Sequence, residues 1–231
     1  MSWTKPQRPV DHAERALITA ILEGHFPPGS TLPGERDLAA QLGVTRPTLR
    51  EVLRRVERDG WVTIHQGKAT KVNDFWWDGG LNILSGIVRH SRTLPPDFVP
   101  NLLRVRLDMA PSYTRLAVER SAEAAAALLA AHEKLEDTPD AFANFDWMLQ
   151  RRLAAASGNP VYAMILNSFT GFYEPLALIY FALPEARQTS RIFYAALLEA
   201  AGRGDADAAE RLTRAVMLES LTLWRKASPA P

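Results

Sequence analysis

The sequence predicts a mainly α protein in two parts. Three short helices and a small β-hairpin come first, followed by an all-α bundle of seven helices. Three observations predict this. Residues 1–75 hold short helical patterns, a tight turn and two β-like runs. From about residue 80 apolar residues recur at helical spacing, and no strand-like run follows Val72. Between the two textures lies Asn73-Asp74-Phe75-Trp76-Trp77-Asp78-Gly79-Gly80, a polar, aromatic bridge ending in two glycines. At ~100–200 residues per domain, 231 residues fit one large or two modest domains. The expected division is therefore a head over 1–75, a linker over 76–80 and a helical body over 81–231.

In the head, Leu17, Ile18, Ile21 and Leu22 mark one face of a helix over 10–23, which Gly24 and the stiff turn His25-Phe26-Pro27-Pro28-Gly29 end. A second short helix covers 35–42 and stops at Gly43. Thr45 can cap a third, with Pro47 in its first turn, where a missing N–H costs nothing. Leu49, Val52, Leu53 and Val56 follow the i, i+3, i+4, i+7 rule and form a core stripe, flanked by a ridge of Arg46, Arg50 and Arg54. After Gly60, the runs 61–64 and 69–72 read as strands joined by the turn His65-Gln66-Gly67-Lys68. Three helices and a hairpin in this order make a winged helix-turn-helix.

That arrangement suits double-stranded DNA. The second helix of the turn-helix pair enters the major groove N-terminus first, so its opening residues read bases. Arg46 and Arg50 carry the fork that matches guanine O6 and N7, and Thr45 and Thr48 can bond phosphates or bases. Arg36, one helix earlier, is placed to reach the backbone or groove edge. At the wing tip, Gly67 and Lys68 can approach the minor groove because glycine adds no bulk.

Charge supports this once the chain is divided. The net charge of +1 taken whole argues against a nucleic-acid partner. Residues 33–73, however, hold eight Lys and Arg against five Asp and Glu, while 77–231 hold sixteen against seventeen. A basic head precedes a neutral body.

Composition excludes other classes. With 47% hydrophobic and 23% charged residues the chain can bury a sizeable core. No apolar run approaches the ~18 residues of a transmembrane helix, and the first residues lack a signal peptide's apolar stretch. The absence of cysteine excludes disulfides, thiol catalysis and cysteine metal sites, and fits a cytoplasmic location. No GxSxG, HExxH, phosphate loop or paired carboxylates suggest an enzyme. The five histidines have no metal-ligand spacing, and Asp146 has no evident partner. No metal or cofactor is expected.

The stretches Phe26-Pro-Pro-Gly-Ser-Thr-Leu-Pro-Gly-Glu-Arg-Asp-Leu38, Leu42-Gly-Val-Thr-Arg-Pro-Thr-Leu-Arg-Glu51 and Arg58-Asp-Gly-Trp61 resemble the GntR family of bacterial transcription regulators. Gly80-Leu-Asn-Ile-Leu84, Asn101-Leu-Leu103, Ala156-Ser-Gly-Asn-Pro160 and Pro184-Glu-Ala-Arg187 resemble that family's fatty-acid-responsive branch. The resemblance implies a homodimer on a palindromic operator, repressing or activating fatty-acid genes and released by long-chain acyl-CoA bound in the helical body. It further implies that Arg36, Thr45, Arg46, Thr48, Arg50 and Gly67 read DNA. In that branch a histidine directly precedes the wing glycine; here Gln66 takes the place, keeping a hydrogen-bonding group without the charge.

For the effector, the resemblance implies Tyr173, Tyr180, Ser220 and Trp224. Arg106, set among Leu102, Leu103, Val105 and Leu107, adds a cation on an apolar stretch. Arginine with aromatics suits a CoA group, and an acyl chain needs only apolar walls. Met217 stands where the branch has a glycine beside the acyl chain. A methionine there could shorten the tunnel or swing aside. A different small effector, such as an organic acid, or lost acyl-CoA binding stays open.

Overall fold

The computed structural model describes residues 8–91 and 94–227, so the outermost parts of both expected domains lie outside it. Packing divides the chain into two compact units, one ending at Leu94 and the other beginning at Pro95.

In the first unit, helices α1 (Pro9–Leu22), α2 (Glu35–Gln41) and α3 (Arg46–Asp59) precede strands β1 (Val62–Thr63) and β2 (Lys71–Val72). Helix α1 presents Ala13, Leu17, Ile18 and Ile21 to α3, whose Leu49, Val52, Leu53 and Val56 are buried as their spacing predicts. Each such Leu or Val contributes about 1.5–3 kcal/mol through removal from water. Thr45 caps α3, its hydroxyl accepting from Thr48 N at 3.4 Å.

The strands are antiparallel, with Val62 opposite Val72 and Thr63 opposite Lys71, and each is shorter than its β-like run. Residues 29–32, which directly follow the turn at 25–29, pair along the other edge of β2. Leu32 N donates to Thr70 O at 2.8 Å, and Val72 N donates to Ser30 O at 2.8 Å. Prolines at 28 and 33 flank this segment and mask its strand character in the sequence.

Helix α4 (Asn82–His90) completes this unit. The boundary therefore falls later than the expected linker over 76–80, for a packing reason. The Thr19 hydroxyl donates to His90 O at 3.3 Å, and Gly86 lies against the buried Trp61 ring. A Cβ at Gly86 would stand 2.5 Å from that ring, so only glycine permits the approach.

The second unit is all α: α5 (Phe98–Ala130), α6 (Pro139–Ala156), α7 (Pro160–Ser168), α8 (Tyr173–Ala182), α9 (Pro184–Gly202) and α10 (Ala206–Ala227). Thr138, Asn159 and Asp205 cap α6, α7 and α10 through side-chain oxygens. Helix α5 packs on α6, α9 and α10. Within α5 two helical stretches meet at Ser121, whose backbone is not helical (φ −155, ψ 57), and a 3-10 turn over Ala131–Lys134 follows. The apolar run over 160–182 is broken at 169–172 into α7 and α8.

Candidate DNA-reading surface and effector cavity

The buried stripe of α3 fixes which way its arginines point. Arg46, Arg50 and Arg54 all face solvent, as a ridge four residues apart must when the neighbouring face is core. Carboxylates hold most of the reader arginines. Arg50 Nε donates to Glu35 Oε2 at 2.9 Å, Arg46 Nη2 lies 3.8 Å from the same oxygen, and Arg36 Nε donates to Asp37 at 3.0 Å. The Thr45 and Thr48 hydroxyls are bonded to each other at 2.9 Å at the N-terminus of α3, where backbone N–H groups favour an anion. Arg55 has another task. It reaches Asp11 and Glu14 of α1 and Glu51 of its own helix, so it ties α1 to α3.

The wing is held to the same framework. Ile64 N donates to Glu57 of α3 at 2.9 Å, and Asn73 joins Thr63 to Gly60 O. Gln66 and Gly67 form the exposed tip, closed by Lys68 N donating to His65 O at 3.2 Å. Gly67 has φ +73, the left-handed region that a side chain disfavours. Of the residues expected to read DNA, Arg36, Thr45, Arg46, Arg50, Gln66 and Gly67 are exposed and Thr48 is half-buried.

In the second unit, α5, α6, α7, α8 and α10 with the α7–α8 link surround a cavity partly open to solvent. Val99, Leu102, Leu103, Leu166, Leu176 and Ala177 make much of its wall. Arg106, Tyr173, Tyr180, Ser220 and Trp224 all line it. Met217 does not. It is buried on α10 outside the lining, and its carbonyl accepts from the Ser220 hydroxyl at 2.7 Å.

The break between α7 and α8 brings Phe169 and Phe172, with ring centroids 5.3 Å apart, into that wall beside Tyr173. Trp147 stacks on Tyr173 at 4.4 Å, and the Arg106 guanidinium lies 5.9 Å from the Tyr173 ring centre. Sequence reasoning did not name Trp147, Phe169 or Phe172. The one available signal was Trp147 directly after Asp146, on a helix face whose orientation the sequence leaves open.

Asp146, read from sequence as lacking an evident partner, is the centre of a polar network. It accepts from Arg106 at 2.5 Å, Tyr173 at 2.5 Å, Tyr194 at 3.2 Å and Gln150 at 3.3 Å. Gln150 in turn accepts from the Tyr113 hydroxyl at 2.5 Å. Gln150 and Tyr194 are both hydrogen-bond donors to this carboxylate. Burial alone pulls the Arg106 guanidinium down, but Asp146 outweighs it and holds the group above its ordinary value. Burial, then Asp146, pushes the Tyr173 and Tyr194 hydroxyls well above theirs, so they stay protonated donors at neutral pH.

Comparison with known proteins places both parts. Residues 9–72 match the model of the bacterial regulatory proteins of the gntR family, and residues 73–229 match the FadR C-terminal domain. The chain belongs to the GntR family, with a FadR C-terminal domain. Family members similar to it include the fatty acid metabolism regulator protein of Cronobacter sakazakii, 44% identical over 96% of this chain and 93% of that one. The protein of the same name from Pasteurella multocida is 46% identical over 84% of this chain and 80% of its own length. Among solved structures, Lar, which controls the expression of the Listeria monocytogenes agr system and mediates virulence, aligns with a TM-score of 0.66. It is 16% identical and covers 96% of this chain and 99% of that one, a likeness that bears on the fold alone. The mainly α architecture with an N-terminal winged helix-turn-helix is that of a GntR-family regulator.

Proposed function

We propose that this GntR-family chain is an acyl-CoA-responsive, DNA-binding regulator of fatty-acid metabolism genes, not an enzyme. It works as a homodimer on a palindromic operator in the cytoplasm, and long-chain acyl-CoA releases it. No metal or other cofactor takes part. The observation that carries this reading is the cavity of the FadR C-terminal domain, apolar over most of its wall and bearing one arginine held by Asp146. An acyl chain gains about 0.8 kcal/mol per buried CH₂ on such walls. The arginine and the aromatic rings suit the polar, phosphate-bearing CoA end. An organic acid without an apolar tail would leave most of this wall unused. The names of the relatives support the same reading, and so does the exposed arginine ridge of α3.

The test is fluorescence anisotropy on a duplex that the protein itself selects from a random pool. Oleoyl-CoA should weaken binding, whereas free CoA and free oleate should not. If affinity is the same with and without oleoyl-CoA, the effector assignment fails and the DNA assignment stands.

A further inference from the structure

Glu35 is the first residue of α2, and its carboxylate lies between two arginines of α3. Its Oε2 accepts from Arg50 Nε at 2.9 Å and stands 3.8 Å from Arg46 Nη2. Position at a helix N-terminus favours an acid there. Both arginine side chains are more than half exposed, so these pairs add little to fold stability. An acid on a surface that meets phosphates weakens binding to any DNA, because it repels them and offsets cationic charge.

The geometry does something else. With Nε committed to Glu35, Arg50 keeps both terminal Nη groups free, and those groups can make the forked pair with guanine O6 and N7. Arg54, one turn further along α3, is the contrast. It is exposed and has no ion pair among the described residues, so nothing sets its direction and it can follow any phosphate.

We propose that Glu35 is a specificity-determining positioning residue, which holds Arg50, and through charge Arg46, toward base edges while lowering affinity for DNA of arbitrary sequence. This rests on the reading of α3 as the base-reading helix.

The experiment compares two duplexes by anisotropy across a salt series. One is selected from a random pool by the unaltered protein, and the other is its scrambled counterpart of equal length. Glu35→Gln should raise affinity for the scrambled duplex about three- to tenfold and steepen the salt dependence by about one unit of slope. Preference for the selected duplex should fall about tenfold, the size of one lost bidentate base contact. In an Arg50→Ala background the same change should alter preference less than about twofold, since coupled residues are not additive. Glu35→Asp keeps the charge but not the reach, so preference should fall with no gain on scrambled DNA. An unchanged preference in Glu35→Gln or Glu35→Asp overturns the proposal, whatever happens to overall affinity. If the unaltered protein selects no duplex at all, it is the base-reading role of α3 that fails.

Discussion

Arg106 donates to Asp146 at 2.5 Å from the wall of a cavity that is otherwise mostly apolar, with the Asp146 side chain 7% exposed and that of Arg106 21%. Two opposite charges so placed tolerate joint removal better than separation, since breaking a buried pair leaves an uncompensated charge. Asp146→Leu or Arg106→Leu alone should cost about 3–5 kcal/mol in denaturant unfolding. The double substitution should cost clearly less than the sum of the two. Additive costs would show that solvent screens the pair despite its burial.

The arginines of α3 differ in their surroundings: Arg55 is held by Asp11 and Glu14 of α1, whereas Arg46 and Arg54 face solvent. Arg46→Ala should cost about 1–3 kcal/mol of operator binding and relax base preference at one position. Arg54→Ala should weaken all duplexes alike and reduce the salt slope by about one. Arg55→Ala should lower unfolding stability and leave base preference intact, because its partners Asp11 and Glu14 belong to α1. Equal loss on operator and unrelated DNA for Arg46→Ala would assign that residue to phosphate.

Met217 is buried, yet it is not part of the cavity wall. Met217→Ala should therefore cost about 2–5 kcal/mol of stability through the void it leaves. Calorimetric affinity for oleoyl-CoA should change little. Leu102→Trp, which fills the cavity itself, should abolish binding at little cost in unfolding stability. A large affinity gain in Met217→Ala would return that residue to the ligand's path.

His90 carries the pH dependence. Burial first, then Arg15 and Arg89, lowers its pKa from the ordinary 6.5, and its Nδ1 has no hydrogen-bond partner among the described residues. The unfolded chain takes up its proton first as pH falls through about 6.5, so the unfolded state is favoured there. Stability should decline from pH 7 toward the depressed folded value and level off below it. Replacing His90 by glutamine should flatten that part of a urea-unfolding pH profile, and an unaltered slope would place the effect elsewhere.

The chemistry of the head was legible because it is local. Cap, stripe and ridge all lie within one helix, so the spacing of Thr45, Leu49 and Arg50 orients the side chains once the core face is known. What was not legible there were long-range pairings. These include residues 29–32 along β2, Glu35 on Arg50 across fifteen residues, and α4 against Trp61. The body was less transparent. Its helices follow from periodicity, but the break at 169–172 interrupts an apolar run and is marked only by Gly171 within it and Pro175 in the first turn of α8.

The sequence by itself determined the helical class, the winged helix-turn-helix, the basic head and the family, because these depend on residue type and short spacing along one chain. The tertiary structure alone decided where Asp146 finds its four donors and that Met217 stands outside the cavity while Phe169 and Phe172 enter it. It also decided that the unit boundary follows α4. Periodicity states which side of a helix is apolar. The partner that buries that side, and the polar groups that must then satisfy one another, are set only when distant helices pack.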